Sequence, residues 1–166
     1  MGDDYKEYTA GQRPKENDIR ELSVQVINQI EAFPSFEERG GIGGLRMIPL
    51  KDAERREIAK ELKEGVAKLL SAKCKTVDES RHTLLIRLDA NVNFVFVPSL
   101  SGGQVPCGIV SAEVFILDSK AKQVVWHLKE VKGVGRTGTD AVGHMAEYVL
   151  KKELEPIFGK LGREKS

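Results

Sequence analysis

From His82 to Val97 the chain alternates with a period of two. Leu84, Ile86, Leu88, Val92, Phe94 and Phe96 fall on one face, and Arg87, Asp89, Asn91 and Asn93 on the other. A pleated strand sends successive side chains to opposite sides, so it sorts this sequence into an apolar and a polar surface. Strands with one wet face belong to antiparallel sheets, because parallel strands are covered on both sides. The apolar face then needs a cover, and amphipathic segments before and after it supply one.

Two further strands are expected at Ile109 to Leu117 and Gln123 to Val131, with Asp118-Ser119-Lys120-Ala121-Lys122 as the hairpin loop between them. Upstream, Ile58, Leu62, Val66, Leu69 and Leu70 make one stripe of a helix that starts at an Asp52 cap and ends near Ala72. Its other face carries Glu54, Arg55, Lys60, Glu61, Lys63, Glu64 and Lys68 and reads as solvated surface. Downstream, Val142, Met145, Ala146, Val149, Leu150, Leu154 and Ile157 mark a closing helix. Nearer the start, Ile19, Leu22, Val26, Ile30 and Phe33 recur at helical spacing and predict a helix stopped by Pro34, although Leu22, Val24 and Val26 would also suit a strand. Residues 39 to 44, Arg-Gly-Gly-Ile-Gly-Gly, read as a flexible loop before a short strand at Leu45 to Leu50, which Pro49 confines to an edge or a strand end.

The economical solution for this order is a two-layer α+β sandwich: an antiparallel sheet of about four to five strands with helices packed on one face. Leu84, Ile86, Leu88, Phe94, Val114, Trp126, Leu62, Leu69, Val149 and Leu150 are the expected core. Residues 1–17 are polar with no apolar period and read as a tether or disordered arm, 18–160 as a single domain, and 161–166 as a disordered tail.

With 166 residues, 40% of them hydrophobic, the chain is long enough for one domain with a real core. Its 26 basic and 25 acidic residues leave a formal charge of +1, which gives no field for steering nucleic acid, so none is expected as a partner. No apolar run approaches the roughly 18 residues that span a bilayer. Two cysteines, Cys74 and Cys107, are too few for a disulfide-dense scaffold, and no neighbouring Cys or His completes a zinc-ligand spacing; neither metal nor cofactor is expected.

Residues 133 to 138, Gly-Val-Gly-Arg-Thr-Gly, look like the phosphate-cradling end of the protein tyrosine phosphatase signature. The nucleophilic cysteine of that family belongs three residues before the first glycine, where this chain has Glu130, and Lys129 stands where a histidine usually precedes it. Without a thiolate no phosphocysteine forms, so the chain is not expected to be an enzyme. Anion binding by Gly133, Gly135, Arg136 and Thr137 stays open beside the plain reading of a strand-to-helix turn. His82, His127 and His144 share no metal-binding spacing. Asp89 and Glu113 could face each other across paired strands, which is ordinary on a wet sheet face. Trp126 alternates with Val124 and Leu128 and reads as core.

A strand ending in Asp118, a tight hairpin, Val124-Val125-Trp126, a further glycine-containing turn and a final amphipathic helix together resemble the closing half of small bacterial envelope lipoproteins whose fold is similar to the amino-terminal domain of TolB. The resemblance covers about residues 45 to 158, and Lys122 stands where glycine is usual. It implies a non-enzymatic accessory or binding protein of the cell envelope with a protein partner there. The chain would lie in the periplasm or be anchored facing it, touching the membrane only through a lipidated N-terminus outside this sequence. A cytosolic α+β interaction module is the alternative. In an oxidising envelope Cys74 and Cys107, both at element ends, would be candidates for a disulfide.

Overall fold

The computed structural model describes residues 7–16, 18–39, 42–96, 104–135 and 142–161. In chain order its elements are β1 (Thr9–Ala10), β2 (Glu21–Asn28), β3 (Ala32–Arg39), β4 (Ile42–Pro49), α1 (Asp52–Leu70), β5 (Lys75–Thr76), β6 (His82–Phe96), β7 (Gln104–Asp118), β8 (Gln123–Gly135), a π-helical segment (Met145–Leu150) and α2 (Lys151–Phe158). The alternating segment is β6, and it pairs antiparallel with β7 along its whole length, from His82 opposite Asp118 to Phe96 opposite Gln104.

Six strands form one sheet in the order β1-β8-β7-β6-β2-β5, and β3 pairs with β4 in a ladder of its own. The meander β6-β7-β8 is antiparallel as expected, but the sheet as a whole is mixed. β2 runs parallel to β6 and β5, and β1 runs parallel to β8. The chain between β2 and β6 carries β3, β4, α1 and β5, a crossover long enough to return it in its original direction.

The expected helix from Ile19 to Phe33 is replaced by β2 and the start of β3. Its helical spacing is real, yet Leu22, Ser23 and Val24 are all buried, as a strand lying inside the sheet requires. Asn28 explains the break: its Oδ1 accepts from the Ile30 N–H at 2.9 Å while its Nδ2 donates to the Arg55 carbonyl at 3.0 Å. This Asx turn ends β2, seats Ile30 in the core and ties the corner to α1. The expected loop at 39 to 44 is largely strand, since Arg39 pairs with Ile42 and Glu38 with Gly43. Pro34 lies within β3 opposite Met47, and Pro49 closes β4.

α1 begins one residue earlier in its capping than the sequence suggests. Lys51 is the cap, Asp52 the first helical residue, and Glu54 accepts from the Lys51 N–H at 3.3 Å. Ile58, Leu62, Val66 and Leu70, each one turn from the next, are the residues it buries. They share one core with Leu84, Ile86 and Leu88 of β6, Val114 and Ile116 of β7, and Met145, Leu150, Leu154 and Phe158 of the closing helical run. Of the expected core, Leu62, Leu84, Ile86, Leu88, Val114 and Leu150 are buried, whereas Leu69, Trp126 and Val149 are partly buried against it. The side chain of Phe94 lies outside the described residues. α2 stops at Gly159, whose φ of 84° is a left-handed conformation that a side chain would disfavour.

On the opposite face a smaller cluster of Leu85, Phe115 and Leu117 is joined by Tyr8, Ile27 and Val124. β8 serves both faces through irregularities in its pairing. Ile116 lies opposite Trp126 and Leu117 opposite Val124, so Val125 is an extra residue. Val125 and Trp126 therefore both turn to the helical side, and the strict alternation of Val124, Trp126 and Leu128 fails at this bulge.

The meander is clamped at one end. Asp118 accepts from Arg81 Nε at 3.0 Å and Nη2 at 2.8 Å, and its Oδ1 also accepts from the Lys120 and Ala121 N–H groups at 3.1 Å. The Arg81 hydrogen bonds, opposed by burial and helped by the Ala121 N–H, bring the Asp118 carboxyl from 3.8 to about 2. Burial lowers the proton affinity of His82, the register partner of Asp118, against the pull of that carboxylate.

Because the folded value lies below the unfolded one, the contribution of Asp118 is complete above about pH 4 and is lost as pH falls toward 2. Asp118→Asn should destabilise the protein by about 1–2 kcal/mol at neutral pH and flatten the acid limb between pH 4 and 2, as read by denaturant titration. An unchanged acid limb would mean the clamp is not made. Ile86→Ala, in the fully buried face of β6, should cost about 2–5 kcal/mol in the same assay.

Candidate functional site

The face of the sheet away from the helices is built from residues that alternate with the core. Ser23, Gln25 and Ile27 of β2 stand opposite Thr83, Leu85 and Arg87 of β6, and the buried Ser23 and Thr83 hydroxyls share a hydrogen bond of 2.9 Å. Leu85 and Arg87 in turn stand opposite Phe115 and Glu113 of β7. Phe115 lies opposite His127 of β8, and their rings stack with centroids 4.5 Å apart at 8°.

At the centre of this face Glu113 has two side-chain partners, Arg87 and His127. Its Oε1 is 3.4 Å from Arg87 Nη1, and its Oε2 accepts from His127 Nε2 at 2.9 Å. Three strands thus contribute one member each. The pairing irregularity between Ala112 and Val114 sets two β8 residues, Lys129 and Glu130, against Glu113 alone, and His127, opposite Phe115, reaches Glu113 diagonally. The three side chains keep 24%, 32% and 41% of their surface exposed for Arg87, Glu113 and His127. Glutamate and histidine are the residue types of an acid–base couple. Here each carboxylate oxygen is already engaged and the group stands on a strand face, so the geometry offers directed charge and hydrogen bonding. That suits recognition of another surface.

Sequence reasoning named Glu113 but paired it with Asp89. The register sets Arg87 opposite Glu113 and Ser111 opposite Asp89, so the two carboxylates are diagonal neighbours. It missed the Arg87–Glu113–His127 constellation. The alternating pattern already placed Arg87 on the polar face, but His127 could be aligned only by knowing the bulges of β8.

The glycine motif is divided by the structure. Gly133 and Gly135 are strand residues of β8, opposite Val110 and Gly108, so no turn starts at Gly133. Arg136 and Thr137 lie outside the described residues. Of the two candidate partners for a disulfide, Cys74 is a free, buried thiol. It precedes β5 at the end of the sheet where β2 starts, while Cys107 sits opposite Asn93, far along β6 from His82. At ~3.3 Å per strand residue this register puts the two well beyond the ~7 Å that a disulfide spans between Cα atoms. Burial, and then the charge of Glu21, push the Cys74 thiol up to about 11, which keeps it a neutral hydrophobe.

No family model matches the chain, and no curated protein matches it. The fold itself has solved counterparts. A neuraminyllactose-binding hemagglutinin homolog from Helicobacter pylori superposes with a TM-score of 0.53 at 8% identity, covering 87% of this chain and 89% of that one. This likeness defines the class as an α+β fold that occurs in bacterial proteins. PelC from Paraburkholderia phytofirmans, solved as a dodecamer, aligns at 13% identity and TM-score 0.47 over 91% of this chain and 96% of that one. Protein XCC0632 from Xanthomonas campestris, of the DUF330 family, aligns at 14% identity and 0.44 over 89% and 90%.

If Glu113 serves recognition, its ion pairs should matter little to folding, because exposed pairs contribute at most about 1 kcal/mol. Glu113→Gln should therefore shift stability by less than about 1 kcal/mol, whereas Leu85→Ala, buried two strand positions from Arg87, should cost about 2–5 kcal/mol. A large loss from Glu113→Gln in thermal unfolding would make the triad a structural element.

Proposed function

We propose that the chain is a non-enzymatic accessory protein of the bacterial cell envelope that binds a protein partner through the outer face of its sheet. The observation that carries this reading is the Arg87–Glu113–His127 group. It is mounted on three paired strands beside the Leu85–Phe115–Leu117 cluster and left partly open to solvent. A fixed, partly exposed polar group of this kind recognises by complementarity. The Helicobacter pylori counterpart supports the reading through its name, that of a homolog of a neuraminyllactose-binding hemagglutinin. The finer likeness to TolB-like envelope lipoproteins belongs to the same proposal. One of its departures finds a physical account: Lys122, where those families carry glycine, has a φ of 52°, the left-handed conformation that glycine adopts without cost.

In this reading the protein works in the periplasm or on a lipid anchor facing it. One observation favours a second reading, a cytosolic α+β interaction module: Cys74 is a free thiol, the state that a reducing compartment maintains. Fractionation of cells that express the gene with its native upstream sequence separates the two. Recovery in the periplasmic or membrane fraction, with a leader or lipobox encoded upstream, is the expected result. Recovery in the cytosol would overturn the envelope assignment.

A further inference from the structure

The stretch before β2 does not run free of the domain. Its two strand residues, Thr9 and Ala10, lie parallel to Gln123 and Val124 at the outer edge of β8. The Thr9 N–H donates to the Lys122 carbonyl at 3.0 Å, and the Gly11 N–H donates to the Val124 carbonyl at 2.9 Å. Tyr8 packs against Leu85, Phe115 and Leu117, and the Lys122 ammonium stands 5.1 Å from the centre of its ring. At Gly11 a Cβ would meet the Gln123 Cβ at 2.8 Å, closer than real side chains approach, so only glycine fits there without a shift.

These contacts describe a binding site together with its occupant. An extended segment supplies two backbone donors to a sheet edge, an aromatic ring fills a shallow apolar seat under a cation, and a glycine passes the crowded point. Addition of a strand to an exposed edge is a recurrent mode of peptide recognition, in which the backbone gives affinity and side-chain seats give selectivity. The internal segment forms a strand of two residues, which is a small hold. Its tether replaces strength with local concentration.

We propose that the β8 edge at Lys122–Val124, with the Leu85–Phe115–Leu117 cluster, is an acceptor for an extended peptide strand of the pattern aromatic-x-x-glycine, which the chain's own Tyr8–Gly11 fills until a partner strand displaces it. The cation–π contact selects the aromatic, and the Gln123 Cβ selects the glycine. This inference rests on the reading of the outer face as a binding surface and names the kind of partner that face takes. It makes no use of compartment.

The test uses the full chain and a fluorescent synthetic peptide of residues Glu7 to Arg13. Two variants release the internal segment by different means: Gly11→Ala by the steric clash and Thr9→Pro by removing the N–H given to Lys122. Hydrogen exchange of the amides of residues 9 to 11 reports release, and fluorescence anisotropy reports peptide binding. The expected result is loss of protection at the residue 11 amide in both variants and at residue 9 in Gly11→Ala, with peptide binding at least about ten-fold tighter than to the wild type, whose own segment competes. The same peptide with Tyr8→Ala should bind neither variant. Equal or absent binding by variants whose segment is released would overturn the proposal. Wild-type amides at 9 to 11 that exchange only through global unfolding would overturn it too, and that measurement stands even if the variants fail to fold. Fractionation to the cytosol would remove the envelope assignment while leaving this result untouched.

Discussion

Everything in this fold is referred to the ladder between β6 and β7. Fifteen residues of one strand face fifteen of the other without a break in register. Because the pleat alternates, that register fixes at once which side chains enter the helical core and which stand on the outer face. A slip of one residue would exchange Leu84, Ile86 and Leu88 for Leu85, Arg87 and Asp89 and bury charge. The clamp of Arg81 on Asp118 sits where such a slip would have to begin, at the pair His82–Asp118, and so holds the register as well as the turn.

The irregularities of β8 gain their meaning from this regular pair. A strand joined to β7 without bulges would send Trp126 and Val124 to the same side. The extra residue at Val125 lets Val124 complete the outer cluster while Trp126 and Leu128 pack on the core. The same extra residue puts His127 opposite Phe115, diagonal to Glu113, while the second irregularity sets Lys129 and Glu130 against Glu113. Bulges also twist and blunt an edge strand, and most of β8 beyond β1 is such an edge. One device thus shapes the outer face and limits uncontrolled pairing along it.

How much of this was legible follows from how local each signal is. The β6, β7 and β8 strands, α1 and the closing helical run declare themselves by period, since each pattern is long enough to outvote its exceptions. β2 did not, because Ile19, Leu22, Val26 and Ile30 satisfy a helical spacing by coincidence and the deciding event is tertiary: insertion beside β6, ended by the Asn28 turn. That insertion also made the sheet mixed, a property of a crossover that no single segment encodes. For the site, Arg87 and Glu113 could be placed on the polar face from alternation alone. His127 and Tyr8 could not, the first because a bulge shifts its phase, the second because its neighbours, from Leu85 to Lys122, lie far along the chain.

Tyr8 and Lys122 show how two locally unfavourable features account for each other. A lysine in the left-handed region costs backbone energy of roughly 1 kcal/mol that glycine would avoid. A short polar stretch before β2 has too little apolar surface to order itself. Joined, the turn aims the ammonium at the ring, the ring covers Phe115 and Leu117, and the backbone between them completes the edge of β8. Because each half is weak alone, the joint is the part of the outer face whose opening costs least, and stability in folded domains is lowest where contacts are few and local. Rigid strands carrying the Arg87–Glu113–His127 group, next to a seam that can open, give a surface able both to hold a fixed chemical pattern and to admit a new strand.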